Sequence, residues 1–168
     1  MASNEKIVFV TVGTTKFDEL IEAVSCQSVR QQLERLGYTR LVLQIGRGEY
    51  EPESVITPTF RMDVFRFKDS ISEDTKSASL VISHAGAGSV LEALGAEKPL
   101  LVVINEKLMG NHQMELAYKL HKEEHLFYCT PSQLSKTLEE MDTSTLKLLP
   151  PGQPKKFADD LDKFFGFS

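Results

Sequence analysis

Apolar positions along the chain fall into two patterns that alternate from one end to the other. Nearly continuous apolar runs occur at residues 6–12 (KIVFVTV), 40–45 (RLVLQI), 80–83, 99–104 and 126–129. Such runs belong to strands buried on both faces of a sheet. Phe60, Met62 and Val64, with Phe65 or Phe67 beyond them, show part of the alternation expected near a sheet edge. Between these runs the period lengthens. Phe17, Leu20, Ile21 and Val24 fall at i, i+3, i+4 and i+7, one face of a helix, and Val29, Leu33 and Leu36 repeat that spacing up to Gly37, a good residue just past a helix end. The region 25–28 breaks this stretch into two helices.

The rest of the chain follows the same logic. Residues 49–58 are polar and contain Pro52 and Pro58, which predicts a loop; 70–79 predict a short helix with Ile71 and Ala78 inward. Val90, Leu91 and Leu94 predict a helix over 90–96, closed by Gly95 or by the Glu97-Lys98-Pro99 break. Residues 105–111 read as a loop, with Asn111 as N-cap of a helix whose apolar face is Leu116, Ala117 and Leu120. Leu134, Leu138 and Met141 mark a further helix after Thr130-Pro131-Ser132. Residues 145–154 form a proline-rich loop or arm, and Pro154 is placed to start a last helix with Phe157, Leu161 and Phe164 or Phe165 inward. Strands alternating with helices imply an α/β fold: a Rossmann-like parallel sheet with helices on both faces. Residues 1–168 read as a single domain with a C-terminal arm over about 145–168.

In such sheets ligands sit beyond the carboxyl ends of the strands. Four turns lie there: Gly13-Thr14-Thr15, Gly46, the segment from His84 to Ser89, and 105–113. In the segment SHAGAGS, Gly86 and Gly88 permit a sharp turn and a close approach to a ligand, and the following helix offers free N–H groups and its dipole to an anion. Ser89 can cap that helix or donate to the same anion. Glu92, one turn further in, can reach a diol beside a phosphate; otherwise it is a solvated helix residue. His84, the candidate catalytic residue, either bonds a phosphate or sugar or orders the turn. His121 and His125 flank a helix end, where they suit surface or dipole-partner roles. Asp160-Leu161-Asp162 lies in an amphipathic pattern and reads as a solvated face, so no metal is expected.

Composition narrows the classes. The chain has 168 residues, 41% hydrophobic and 26% charged, as in a soluble globular domain. Its net charge of −5, from 19 basic and 24 acidic residues, argues against a nucleic-acid partner. No apolar run approaches a membrane span, and the N-terminal pattern passes directly into a strand without a signal-peptide core. Cys26 and Cys129 have no metal or redox spacing. A cytoplasmic location is expected.

Taken together, VFVTVGTT, LQIGRG, VISHAGAGSVLEAL, KPLLVVINEKL and NHQMELA resemble glycosyltransferase family 28. The resemblance is specifically to the catalytic subunits of the eukaryotic UDP-N-acetylglucosamine transferases of dolichol-linked oligosaccharide synthesis. It runs over nearly the whole chain, to PPGQPKKF. It implies the C-terminal, donor-binding half of a GT-B glycosyltransferase, with UDP-GlcNAc as donor and no cofactor. By the same resemblance, Gly13, Thr14 and Thr15 face the donor diphosphate and the interdomain cleft, and Gly86, Gly88 and Ser89 meet the diphosphate. Glu92 holds the ribose hydroxyls, and His112 and Gln113, beside Asn105 and Glu106, read the GlcNAc. One glycine and two threonines stand where the bacterial relatives have a glycine-richer first loop, so hydroxyls take part of the phosphate binding. The implied reaction adds the second GlcNAc to GlcNAc-diphosphodolichol. The implied partner is a membrane-anchored acceptor-binding subunit on the cytosolic face of the endoplasmic reticulum. Two alternatives stand beside this reading: a non-catalytic nucleotide-sugar-binding paralogue, and a dinucleotide-binding oxidoreductase. The latter is suggested by Gly86-x-Gly88 and the distal Glu106 but lacks the third glycine, its place held by Leu91.

Overall fold

The computed structural model describes residues 5–105 and 111–147. Its strands are β1 (Ile7–Thr11), β2 (Arg40–Gln44), β3 (Val55–Ile56), β4 (Arg61–Phe65), β5 (Leu80–His84), β6 (Leu100–Val103) and β7 (Phe127–Cys129). Its helices are α1 (Asp18–Ser25), α2 (Gln27–Arg35), α3 (Ser72–Ser77), α4 (Ala87–Gly95), α5 (Asn111–Lys122) and α6 (Leu134–Glu140). The strands form one sheet in the order β3-β4-β2-β1-β5-β6-β7. Every pairing is parallel except that of β3 with β4.

The continuous apolar runs are explained by two separate cores, one on each face. Alternate strand residues Val8, Val10, Leu41, Leu43, Leu80, Ile82, Leu101 and Val103 pack on one face against Leu20, Ile21 and Val24 of α1, Val29 and Leu33 of α2, and Leu134 and Leu138 of α6. Their neighbours Phe9, Val42, Val81, Leu100 and Val102 pack on the other face against Val90, Ala93 and Leu94 of α4 and Ala117 and Leu120 of α5. Phe9 is fully buried and stacks on Phe65, with centroids 6.5 Å apart. Helices on both faces thus satisfy the rule that a parallel sheet must be covered twice.

The strand order also places the site. From β1 the chain moves outward through α1 and α2 to β2 and then to β4. It then crosses back through α3 to β5, on the other side of β1. The direction of winding therefore reverses between β1 and β5, and a crevice opens there at the carboxyl ends of the strands. The loops leaving β1 and β5, Gly13-Thr14-Thr15 and Ala85-Gly86, border that crevice.

The break between the first two helices falls inside the expected region 25–28, at Cys26, whose backbone is extended (φ −65, ψ 154). Several other boundaries depart from the sequence expectation. The expected loop 49–58 contains β3, a two-residue antiparallel edge strand, too short to show a period. The edge is therefore β3, and β4 lies one strand inside it. Ile71, expected inside α3, is its N-cap. Helix α4 begins at Ala87, three residues before the first apolar position of its pattern, with Gly86 as N-cap. Gly88 is therefore a first-turn helix residue. Ser89 does not cap: α4 has no side-chain cap hydrogen bond. The expected C-terminal helix and most of the arm, residues 148–168, lie outside the described residues, as does Glu106.

Candidate functional site

At the carboxyl rim a cavity of about 320 Å³ is lined by Gly13, Thr14, Gln44, Phe67, Lys68, Asp69, Ser70, Ile71 and Glu92. Three of the sequence-predicted residues, Gly13, Thr14 and Glu92, thus face one space. A larger cavity of about 510 Å³ lies at the other end of the sheet, between the C-terminal end of α5 and the start of β7. No predicted site residue lines it.

The Gly13 turn follows β1 directly. Gly13 has φ +64, a left-handed conformation that an L side chain adopts only with strain. Its N–H donates to Thr11 Oγ1 at 3.1 Å. The Thr11 hydroxyl donates in turn to Gln44 Oε1, and Gln44 Nε2 donates to the carbonyls of Gly13 and, at 3.0 Å, of Arg66. Thr11 and Gln44 are both buried, and their polar atoms satisfy one another and the surrounding backbone. Thr15 closes the turn by donating its hydroxyl to the Val12 carbonyl at 2.8 Å.

Beside this turn stands His84, the last residue of β5. Its Nε2 lies 3.3 Å from Ser89 Oγ. A Cβ on Gly13 would come within 2.9 Å of His84 Nε2, and a Cβ on Gly86 within 2.2 Å of His84 Cε1. Gly86 itself has an ordinary extended backbone (φ −81, ψ 133). This glycine is required by the imidazole packed on it, not by the turn. Burial pushes the His84 pKa down to about 4, so the ring is neutral at pH 7. A Cβ on Gly88, by contrast, would meet no protein atom within 4 Å. The first-turn N–H groups of α4, which no side chain caps, lie at this open position.

The turns beside this cavity are braced by residues that the sequence pattern did not single out. The Arg66 guanidinium donates to the carbonyls of Gly46 and Gly48 (3.2 and 2.7 Å) and pairs with Glu51 at 2.9 Å. Asp18 accepts from the N–H groups of Glu49 and Tyr50 at 3.2 and 3.3 Å. These contacts hold the Gly46-Arg47-Gly48 turn against the start of α1. Gly46 has φ +59, and a Cβ there would strike the Thr15 carbonyl at 2.2 Å. Lys68 bonds Asp74 of α3 at 3.1 Å and lies 4.3 Å from the centroid of the Phe65 ring, which fixes the 67–71 wall. The one available signal was Gln44, a polar residue inside an apolar strand run.

Of the remaining predicted residues, Asn105 ends the described stretch after β6 on the same rim, and the backbone of His112 and Gln113 enters the first turn of α5. The side chains of His112 and Gln113 lie outside the described residues. His121 and His125 sit far from the rim. Their Nδ1 atoms bond the carbonyls of Leu126 and Lys147 at 3.0 and 2.9 Å. Cys129 is buried, its thiol pushed up to about 11, and Cys26 is exposed and unpaired with any other cysteine.

Residues 7–163 match the model of the glycosyltransferase family 28 C-terminal domain. The chain belongs to this family. It is 65% identical over 125 residues to the human protein named UDP-N-acetylglucosamine transferase subunit ALG13, a match that covers 74% of this chain and 11% of the human one. The chain thus spans about a tenth of the length of that relative. A relative of the same name from Eremothecium gossypii is 31% identical over 183 residues, covering 92% of this chain and 90% of its own. Among solved structures, an NMR solution structure of ALG13 superposes with a TM-score of 0.73 at 28% identity, over 94% of this chain and 96% of that one. Membership of family 28 agrees with the doubly covered parallel sheet and leaves the oxidoreductase alternative without support.

Proposed function

We propose that this chain is the donor-binding, catalytic subunit of an inverting UDP-GlcNAc transferase that adds the second GlcNAc to GlcNAc-diphosphodolichol. The observation that carries the reading is the cavity at the winding reversal, where Gly13, Thr14 and Glu92 meet beside the open N-terminus of α4. The name that the relatives carry, UDP-N-acetylglucosamine transferase subunit, supplies the substrate class.

In this reading the donor diphosphate lies over the first turn of α4, against Gly88 and Ser89, with the Gly13 turn on its other side. Free N–H groups and the helix dipole stabilise the negative charge that grows on the leaving UDP. The diphosphate is held by backbone groups and hydroxyls rather than by a metal ion. Glu92 accepts hydrogen bonds from the ribose hydroxyls, and the base lies against the 67–71 wall opposite. The sugar points toward Asn105, Glu106, His112 and Gln113. A base with a pKa of about 4 is poorly matched to an alcohol at pH 7. His84 therefore acts as a neutral hydrogen-bonding group that positions Ser89 and the two glycine turns. The group that deprotonates the acceptor hydroxyl is then a residue other than His84. The partner is a membrane-anchored subunit carrying the acceptor half, and it recruits this chain to the cytosolic face of the endoplasmic reticulum. Among the described residues, no helix is long and apolar enough to cross a membrane.

Titration with UDP, UDP-GlcNAc and NAD tests the donor assignment. The two uridine nucleotides should bind, NAD should not, and Glu92→Ala should weaken UDP while leaving the unfolding midpoint unchanged. Transfer to a short lipid-diphosphate-GlcNAc should require the partner subunit. A chain that binds UDP-GlcNAc but supports no transfer with the partner present would be the non-catalytic paralogue.

A further inference from the structure

The Thr11–Gln44 pair lies under the proposed donor cavity, and the hydrogen bonds around it have a direction. One side-chain amide, Gln44 Nε2, donates to two main-chain carbonyls, that of Gly13, which lines the cavity, and that of Arg66, the residue before the lining residue Phe67. Its orientation is not free. The Thr11 hydroxyl donates to Gln44 Oε1, which leaves the Nε2 end for the carbonyls, and the same hydroxyl oxygen accepts from the Gly13 N–H. Thr11 is 2% and Gln44 4% exposed, so no bulk water replaces a lost bond. Gln44 nevertheless reaches the cavity, whose lining it shares with Gly13, Thr14 and Phe67.

We infer that Thr11 and Gln44 are positioning residues for the nucleoside diphosphate, an assignment that rests on the donor-site reading above. The Gly13–Thr14 peptide is trans, like every described peptide bond. Its carbonyl and its N–H therefore point in opposite directions. Drawing the Gly13 carbonyl down onto Gln44 turns the Thr14 N–H up, toward the cavity that Thr14 lines. Gly13 at φ +64 is the residue that lets the chain make this turn. The same amide ties the carbonyl of Arg66, immediately before Phe67, so one side chain links the Gly13 turn directly to the start of the 67–71 wall, beside the Gly46 N–H that also donates to the Arg66 carbonyl at 3.2 Å. Reversal or loss of that amide would present a carbonyl, not an N–H, to an anionic ligand.

The test is UDP binding at 10 °C by the full chain and by Thr11→Val, Thr11→Ser and Gln44→Met, with unfolding midpoints measured alongside. Thr11→Val and Gln44→Met should weaken UDP at least tenfold in protein that is still folded. Thr11→Ser, which keeps the hydroxyl, should bind within about twofold of the parent chain. Parent-like UDP binding by both Thr11→Val and Gln44→Met would overturn the inference, even if their midpoints fell. A readout on the parent chain covers the case in which these variants do not fold. The side-chain NH₂ resonances of Gln44 should shift on UDP addition with the same saturation curve as the Gly13 and Thr14 amides. If Gly13 responds and the Gln44 side chain does not, the inference fails. If the parent chain binds no UDP at all, it is the donor reading that falls, so the two failures are distinct.

Discussion

Two glycines in this site have different reasons to be glycine, and substitution by alanine separates them. At Gly86 a methyl group would strike the His84 ring at 2.2 Å, an overpacking clash that should cost about 1–3 kcal/mol. In a His84→Ala background that cost should largely vanish, a coupling that a double-mutant cycle in urea would measure. At Gly88 nothing lies within reach of a methyl group. Gly88→Ala should leave the fold unharmed, or stabilise it by roughly 0.5–1 kcal/mol through backbone entropy, yet weaken UDP binding. Unchanged UDP affinity in Gly88→Ala would remove this glycine from the donor site. His84 itself predicts a pH dependence. Its pKa is lowered by burial from 6.5 to about 4, so the unfolded chain takes up a proton that the folded chain refuses. Its contribution is fully present above pH 6.5 and is lost as pH falls toward 4, by about 3 kcal/mol in all. Urea unfolding between pH 7.5 and 4.5 should show that slope, and His84→Asn should flatten it.

At the scale of elements, two helices end in an unusual way. Glu97 after α4 and Glu124 after α5 hold left-handed backbone, with φ 60 and φ 67, where glycine is the usual residue. Glu97→Gly should therefore stabilise the protein by about 1 kcal/mol, read as a rise in the thermal midpoint. Glu124→Gly should gain less, because the Glu124 carboxylate pairs with Lys147 at 2.9 Å and would be lost. Gln32 shows how α2 and α6 are joined across a long sequence separation. It donates to the Ser135 carbonyl at 2.8 Å and accepts from the Ser135 hydroxyl at 2.9 Å. The helix periods were readable because each apolar face is continuous. The start of α4 was not, because Gly88 and Ser89 give no apolar signal and a helix can begin on residues whose N–H groups remain free.

For the whole molecule, the winding reversal between β1 and β5 decides which end of the sheet binds. UDP-GlcNAc should perturb the amides of Gly13, Gly88, Ser89 and Glu92 in a ¹⁵N-labelled sample. The larger cavity by Tyr118, His121 and Phe127 should stay silent. Perturbation confined to that second cavity would place the ligand at the wrong end of the sheet and reject the site. Size of cavity is a poor guide here, since the smaller one holds the convergent polar groups.

Much of this molecule is legible from one chain of letters. Continuous apolar runs alternating with helical faces dictate a parallel sheet covered on both sides, because only that arrangement buries both faces of every strand. Glycine-rich turns after the first and fifth strands mark the carboxyl rim, and the motif set marks the family. Tertiary structure decided the rest. It decided that Gly86 serves His84, that His84 is neutral, and that Ser89 bonds the ring and caps nothing. It also brought together Thr11 and Gln44 from two strands, Arg66 from just after a third, and Asp18 from a helix, to brace turns that the sequence shows only as separate. Local pattern reports what a residue needs from its own element. The pKa of an imidazole and the aim of an amide depend on neighbours that arrive only when distant strands pair.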